Sequence, residues 1–204
     1  QVFRFFTQAD VEVNNYYMGH CMNVFKPTEV KMMLSAFSAM ETVHMAAYAH
    51  LLDTVGLPET EYSEFLKIKA MRDKYDYLQG CKSDTLHNIA KTVAICSAFT
   101  EGVQLFASFA ILLNFPRHNK MKGMGQIITW SVRDETLHCS SMIRLFREFI
   151  KENPEIWTSR LQNEIYEACR IAVAQEDAMI DLSFEQGPLE NLKPKDVKQY
   201  IRWI

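Results

Sequence analysis

The chain has 204 residues and a formal net charge of −3 at pH 7, and 48% of its residues are hydrophobic while 23% are charged. This composition is typical of a globular domain with a buried core rather than of a disordered segment. Only 7 Gly and 6 Pro leave little turn material, which favours a few long helices over a many-stranded sandwich or barrel. The weak net charge, without a basic stripe, predicts no nucleic-acid partner.

The sequence also lacks signals for secretion or membrane insertion. It opens with QVFRFFTQAD, which is not a charged segment followed by an apolar run, and its longest apolar stretch, Leu105 to Phe115, is too short to span a bilayer. The 5 Cys are an odd number and include no CxxC pair, which predicts free thiols in a reducing compartment. We therefore expect a cytoplasmic protein with no membrane partner.

Helical spacing of apolar residues, interrupted by Gly and Pro, predicts a succession of long helices. The predicted helices are Asp10–Phe25, Pro27–Thr54, Thr60–Leu78, a fourth capped by Ser83 or Asp84 and ending near Asn114, Asn119–Asn153, Glu155–Glu185 and Lys195–Ile204. Most exceed the globular average of about 11–12 residues. Long helices with short polar connections are typical of an antiparallel bundle.

Two Glu-x-x-His motifs carry the main chemical signal. ETVH runs from Glu41 to His44 on the second predicted helix, and ETLH runs from Glu135 to His138 on the fifth. Residues three apart share a helix face, with β-carbons roughly 5–6 Å apart, so a carboxylate and an imidazole can bind one ion together. One motif alone would mean little, but two within long apolar helices predict a metal site.

The surroundings of the carboxylates favour metal binding over a structural role. Glu41 and Glu101 lie in strongly apolar stretches, and no Lys or Arg lies within a helical turn of either. Burying an unpaired carboxylate costs several kcal/mol, whereas two divalent ions balance four carboxylates. Glu101 would be the third carboxylate, and Asp10 or Glu12 on the first helix the fourth. The alternative is that these are core polar residues satisfied by hydrogen bonds.

Other reactive side chains receive ordinary interpretations. Tyr48, four residues after His44, is by itself most simply a core tyrosine with a hydrogen-bonded hydroxyl. Cys139 follows His138 but points about 100° around the helix from it, so we expect a buried thiol rather than a ligand. Three histidines in polar or terminal contexts are expected to be surface or packing residues: His20, His87 and His118.

Four segments, taken in order, resemble the small (beta) subunit of class I ribonucleotide reductases: FFTQADVEV, METVHMAAY, FTEGVQLFASFA and SVRDETLH. The resemblance runs from about Phe5 to Glu185, and it is specific because the four segments and the tyrosine share the family's order and spacing. It implies an all-α, ferritin-like bundle of long helices with a carboxylate-bridged di-metal site in its core. Two iron ions are the implied cofactor, and manganese is the alternative.

The resemblance also assigns roles to individual residues. Tyr48 matches the tyrosine that becomes a stable radical, and Asp134 matches the carboxylate that orients a metal-bound histidine and lies on the electron-transfer route. Leu105 stands where the family often has Phe, and Phe109 keeps the apolar character around the radical. The implied metal ligands are Asp10, Glu41, His44, Glu101, Glu135 and His138.

The implied function is radical generation for deoxyribonucleotide synthesis and hence DNA replication. Activation of O2 at the metal pair oxidises Tyr48, and a large catalytic subunit uses the radical to reduce ribonucleotides to deoxyribonucleotides. The implied partners are O2, the large subunit and a second copy of the chain in a homodimer. Three alternatives stay open: a di-metal oxygenase or ligand-binding oxidase on the same scaffold, a ferritin-like iron-binding protein, and a purely structural helical module.

Two family features lie outside this sequence: a Trp upstream of the first carboxylate and a mobile tail that docks on the large subunit. In addition, the apolar positions Val197, Ile201 and Ile204 keep a helical spacing to the last residue, which would leave an apolar face with little cover. We therefore expect residues 1–204 to be one helical domain, truncated at both ends relative to a longer parent, that does not support ribonucleotide reduction by itself.

Overall fold

A computed structural model describes residues 2–56 and 67–204, without the side chains of residues 3–5, 7 and 8. Within these ranges the regular structure is helical, apart from an isolated antiparallel bridge between Leu189 and Leu192. This confirms the predicted all-α fold. The α-helices are α1 (Val2–Asn15), α2 (Met22–Val24), α3 (Thr28–Val55), α4 (Lys69–Gln79), α5 (Leu86–Ala94), α6 (Gln104–Arg117), α7 (Lys122–Glu152), α8 (Ser159–Ser183) and α9 (Pro194–Trp203).

Two of the long helical runs contain π-helical segments. The segment π1 (Tyr16–Cys21) joins α1 to α2, and π2 (Ile95–Val103) joins α5 to α6, so each run continues without a break. A π turn adds a residue to the helix and is frequently found at functional sites. The apolar spacing of the sequence predicted one continuous helix in each region but not this change of helix type.

The predicted and observed helix boundaries agree best where a residue such as Gly clearly ends the helix. The second predicted helix is α3, which ends at Gly56 in the left-handed conformation with φ 79°, where a side chain would be strained. The first helix begins at Val2 rather than Asp10, because Phe6 and Ala9 already pack into the core. The fourth helical run is capped by Thr85, whose hydroxyl accepts from Asn88 N at 3.1 Å, rather than by Ser83 or Asp84.

Two more boundaries differ from the sequence prediction. The sixth predicted helix starts later, as α8, because a 3₁₀ turn occupies Pro154–Ile156 and the Thr158 hydroxyl accepts from Leu161 N at 3.2 Å. For the third, residues 60–66 lie outside the described part of the chain, and α4 begins at Lys69.

The helices pack so that α1, α3, π2 and α7 surround one buried region. α1 packs along α3, π2 packs on α7, and the contacts of α3 with α7 and of α1 with π2 close the group. Close approach of α6 and α7 needs a glycine, since a β-carbon on Gly125 would lie 2.7 Å from Pro116 Cγ. The four elements that surround this region are those on which the predicted ligands lie.

The last helix is covered more fully than the sequence suggested. Val197 and Ile201 are buried against α6 and α8, in a cluster that includes Ile111 and Ile180. The expectation that this apolar face lacks cover is therefore wrong for these two positions, because neighbouring helices already bury them. Ile204 is exposed.

One helical run, Leu86–Arg117, is long and apolar enough by composition to cross a membrane, and 67% of its most apolar stretch is buried inside the bundle. This burial is typical of the core helix of a soluble protein.

Candidate metal centre

The predicted metal ligands converge in the buried region between α1, α3, π2 and α7. Each of the six residues is at most 4% exposed to solvent. α1 supplies the first carboxylate, π2 supplies one Glu, and α3 and α7 each supply a Glu-x-x-His pair. The residues brought together are Asp10, Glu41, His44, Glu101, Glu135 and His138. Glu12, the alternative on α1, instead accepts a hydrogen bond from Gln79 Nε2 at 2.6 Å.

The ligand atoms form two adjacent groups, and within each group all of them lie within 4.8 Å of one another. Glu41 belongs to both groups. Glu135 also lies between them, because its Oε1 is 3.0 Å from His44 Nδ1 and its Oε2 is 3.6 Å from His138 Nδ1. The groups are Glu41, Glu101, Glu135 and His138, and Asp10, Glu41 and His44. Two neighbouring cations that share carboxylates would fit this arrangement.

Both histidines present Nδ1 to the carboxylates. His44 Nδ1 lies 3.3 Å from Glu41 Oε2, and His138 Nδ1 lies 2.9 Å from Glu41 Oε1. The other ring nitrogen of His44, Nε2, lies 3.4 Å from Asp134 Oδ2, and Arg133 Nε donates to the second oxygen of Asp134 at 3.0 Å. A carboxylate on the far ring nitrogen fixes the tautomer and orientation of a metal-binding imidazole.

The cluster contains more carboxylate oxygens than hydrogen-bond donors. The buried oxygens of the cluster that have no hydrogen-bond partner include Asp10 Oδ2, Glu101 Oε2 and Glu135 Oε2. Among the described residues, the ionic contacts of the Glu41 and Glu135 carboxylates are with His44 and His138, not with Lys or Arg. Buried polar atoms are rarely left without partners. Carboxylate and imidazole donors suit divalent first-row metals, so these residues fit a metal centre.

Without metal, the electrostatics of the cluster favour bound protons. Burial, reinforced by neighbouring carboxylates, raises the pKa of Asp10 and Glu101 well above the usual range. Burial alone would lower the pKa of the histidines, but contacts with Glu135 and Glu41 outweigh it and raise the pKa of His44 to about 11 and of His138 to about 10. In the metal-free protein, bound protons therefore neutralise part of the negative charge that cations would otherwise balance.

Tyr48 lies beside the cluster in an apolar pocket. Its side chain is 1% exposed, and its ring stacks on Phe6 with centroids 5.0 Å apart. Leu105 and Phe109, predicted to shield it, belong to the same core cluster. The Tyr48 and His44 ring centroids are 6.3 Å apart. Burial, followed by the nearby Asp10 carboxylate, raises the pKa of the Tyr48 hydroxyl well above its usual range.

Two hydroxyl residues at the site were missed by sequence reasoning. Ser131 on α7 accepts a hydrogen bond from the Tyr48 hydroxyl at 2.7 Å. The Tyr17 hydroxyl, on π1, donates to Glu101. Ser131 stands one helical turn before Glu135, so its position on the ligand face was a usable signal. Tyr17 carried none, because its orientation depends on the π segment.

The residues given ordinary roles lie outside the cluster. Three histidines contact side chains elsewhere: His20 meets Ser83 at 3.1 Å, His87 meets Glu164 at 3.0 Å and His118 meets Glu190 at 3.2 Å. Cys139 is a free thiol that is half-buried rather than fully buried as expected, and its Sγ lies beside Gly102.

The fold and the cluster together define a ferritin-like helical protein with a buried carboxylate–histidine centre. The family model described as "Ribonucleotide reductase, small chain" matches residues 1–204. The chain belongs to this family.

Named relatives agree with the family match. The chain is 45% identical to the probable ribonucleoside-diphosphate reductase small subunit of Invertebrate iridescent virus 3, an alignment that covers 100% of this chain and 59% of the relative. It is 31% identical to the ribonucleoside-diphosphate reductase subunit beta of Chlamydia pneumoniae, over 98% of this chain and 61% of the relative. The chain thus spans about three fifths of the length of these curated relatives.

Solved structures agree on the fold. The putative class I ribonucleotide reductase from Bacillus halodurans superposes with a TM-score of 0.87 at 19% identity, over 98% of this chain and 73% of the other. The ribonucleotide reductase R2 subunit from Clostridium botulinum gives a TM-score of 0.88 at 21% identity, over 98% and 65%.

Proposed function

We propose that this chain is the radical-generating part of a class I ribonucleotide reductase small subunit. Its proposed cofactor is a pair of iron ions, with manganese as the alternative, and its proposed product is a radical on Tyr48. The observation that carries the proposal is a buried cluster of four carboxylates and two imidazoles, without Lys or Arg partners among the described residues, next to a buried tyrosine. When bound, the ions would supply the reaction with O2 that takes one electron and one proton from Tyr48.

The chain's residues would hold and orient this centre. Asp10 and His44 would bind one ion, Glu101 and His138 the other, and Glu41 with Glu135 would lie between them, as the two groups of ligand atoms suggest. Asp134 would receive the Nε2 hydrogen of His44 and thereby keep Nδ1 directed at the ion.

The pocket around Tyr48 would protect the radical. The ring is buried under Phe6, Leu105 and Phe109, so water and external reductants have no direct access to it. Its raised pKa keeps the phenol protonated until it is oxidised, so that electron and proton leave together. The same side chain would be an ordinary core residue in an iron-storing bundle, which needs no phenol there.

We also propose the partners that the family relationship implies. A homodimer would cover exposed apolar side chains of α3 and α7, where Met32 is 67%, Val43 58%, Leu137 58% and Trp130 52% exposed. A large catalytic subunit would take the oxidising equivalent and reduce ribonucleoside diphosphates, the substrate class in the names of the curated relatives. We further propose that residues 1–204 act as one domain and that the protein is cytoplasmic, as its free thiols suggest.

The test is to load the chain with Fe(II) without oxygen, expose it to O2, and combine metal analysis with electron paramagnetic resonance. We expect two ions per chain and a tyrosyl signal, and we expect Tyr48→Phe to keep both ions and lose the signal. Two ions without a radical would favour the oxygenase or oxidase alternative. Uptake far above two ions would favour storage, and no uptake would favour a structural module.

A further inference from the structure

We infer that Ser131 is a positioning residue for Tyr48, which fixes the phenol hydroxyl in the resting protein and remains its polar partner when Tyr48 is oxidised. This inference rests on the proposed function of Tyr48. It assigns a specific role to a residue that is neither a ligand nor part of the apolar pocket.

The contact is short, buried and directional. The Tyr48 hydroxyl donates to Ser131 Oγ at 2.7 Å, and the two residues are 1% and 2% exposed. Ser131 Oγ in turn donates to the Ile127 carbonyl oxygen, four residues earlier on α7, at 3.3 Å. Phenol, serine and backbone carbonyl therefore form a chain in which every hydroxyl hydrogen has an acceptor.

The positions of the two residues connect the contact with the metal centre. Tyr48 stands one helical turn after His44 on α3, and Ser131 stands one turn before Glu135 on α7. The hydrogen bond thus joins the two helices that carry the Glu-x-x-His pairs, directly beside the ligands. A shift of either helix would alter both the ligand positions and the Tyr48–Ser131 distance.

The rest of the pocket makes Ser131 decisive for the hydroxyl. Phe6, Leu105 and Phe109, which pack around the ring, have no side-chain hydrogen-bonding groups. Leaving a buried hydroxyl without a hydrogen-bond partner is destabilising. Within the described residues, Ser131 is the partner that the structure gives it. With an apolar side chain at position 131, the phenol would have to turn towards the carboxylates of the cluster.

A serine can serve both states of the tyrosine. In the resting state it accepts from the phenol and donates to Ile127. Oxidation removes one electron and one proton from Tyr48. Reduction of O2 to two water molecules takes four electrons and four protons, so the reduced metal pair would supply two of the other electrons, an external one-electron reductant the last one, and solvent the remaining protons. The phenoxyl oxygen that remains can only accept, and the Ser131 hydroxyl can rotate about its Cβ–Oγ bond from the Ile127 carbonyl to donate to it.

The resting hydrogen bond can be tested without metal. The full chain would carry 3-fluorotyrosine at position 48, and its fluorine resonance would be compared between the parent and Ser131→Ala. We expect Ser131→Ala to shift the resonance and Ser131→Thr, which keeps a hydroxyl, to restore most of the parent value. Ser131→Cys, close to serine in volume but a weak acceptor, serves as a second variant if the alanine variant does not fold. An unchanged resonance in the alanine or cysteine variant would overturn the inference.

A matched control is available at Ser97. It is also buried, at 1% exposure, and its Oγ also donates to a helix carbonyl four residues earlier, Val93 O at 2.6 Å, but it is not a partner of Tyr48. Ser97→Ala should leave the fluorine resonance unchanged. An equal shift in Ser97→Ala and Ser131→Ala would reduce the effect to general packing and contradict the inference.

The oxidised state is tested on the iron-loaded, oxygen-exposed chain by high-field electron paramagnetic resonance. We expect the parent radical to show a proton coupling that disappears after exchange into D2O, and Ser131→Ala to lose that coupling and raise the largest g-value. A parent radical unaffected by the substitution would refute the oxidised-state role. If the parent forms no radical, the proposed function fails, and so does the oxidised-state role that rests on it. The fluorine comparison still decides the resting-state role separately.

Discussion

The bundle buries carboxylates in two places by two different means. Glu176 on α8 is fully buried, and the ammonium of Lys74 on α4, also buried, donates to it and to the Gln104 carbonyl oxygen at 3.3 Å. In the carboxylate–histidine cluster, by contrast, the ionic contacts of the described carboxylates Glu41 and Glu135 are with His44 and His138. Lys74 supplies the positive charge in the first region, whereas the second region requires protons or bound ions.

Burial shifts the pKa values of the groups in both regions towards the uncharged form. It raises the pKa of Glu176 and lowers that of Lys74, as it raises those of Asp10 and Glu101. The difference is that the Lys74–Glu176 pair is neutral as a unit, so it needs no further cation. A buried carboxylate therefore indicates function only when the surrounding side chains leave its charge unbalanced.

The largest effect should come from breaking the internal pair. Lys74→Met leaves the Glu176 carboxylate buried without its ammonium, and we expect the free energy of unfolding to fall by about 3–5 kcal/mol. Urea denaturation of the metal-free chain measures it. The double variant Lys74→Met/Glu176→Leu should recover most of the loss, because two well-packed apolar side chains can replace a buried ion pair. Equal losses in single and double variants would show that packing, not charge, dominates.

Removing a carboxylate from the candidate metal centre should reduce metal binding but change the stability of the metal-free protein little. Glu101→Gln keeps an acceptor for the Tyr17 hydroxyl but removes a ligand charge, so we expect fewer than two ions per chain in metal analysis. Because the raised pKa leaves Glu101 protonated without metal, unfolding of the metal-free variant should change by less than about 1 kcal/mol. Glu167→Gln, on an exposed Glu of α8, is the control and should change neither quantity. A loss as large as that of Lys74→Met would erase the distinction between the regions.

The smallest expected effect is the release of protons when metal binds. His44 and His138, with pKa values of about 11 and 10, hold protons at pH 8 in the metal-free protein, whereas metal-bound imidazoles must be neutral. Metal binding should therefore release protons, and apparent affinity should rise with pH up to about 10. Titration calorimetry in buffers of different ionisation enthalpy counts the protons. No release at pH 8 would contradict the raised pKa values.

The same shifts predict the stability of the metal-free protein. Both histidine pKa values lie above the ordinary value of about 6.5, so the folded state binds their protons more tightly than the unfolded state. Their contribution is fully present below pH 6.5 and is lost as the pH rises through about 10 to 11.

Local sequence patterns predicted the members of the buried carboxylate–histidine cluster, with Asp10 or Glu12 left open on the first helix, but not the contacts between helices around it. Each Glu-x-x-His pair lies within one helical turn, and the lack of nearby basic residues around Glu41 and Glu101 is visible without a structure. The Tyr48–Ser131 and Lys74–Glu176 contacts instead join residues 83 and 102 positions apart, so they depend on which helices are neighbours. The short motifs are therefore visible in the sequence, whereas the contacts between helices can be seen only in the structure.

The segments π1 and π2 should tolerate substitutions better than insertions or deletions. Tyr17 on one contacts Glu101 on the other, and both segments have π-helical rather than α-helical geometry. Gain or loss of a single residue there would rotate the following side chains by about 100° and move the Glu101 carboxylate away from its partners. In an alignment of related chains, gaps within these segments should therefore be rarer than substitutions. A mutagenesis library should likewise vary the residue types in these segments but keep their length.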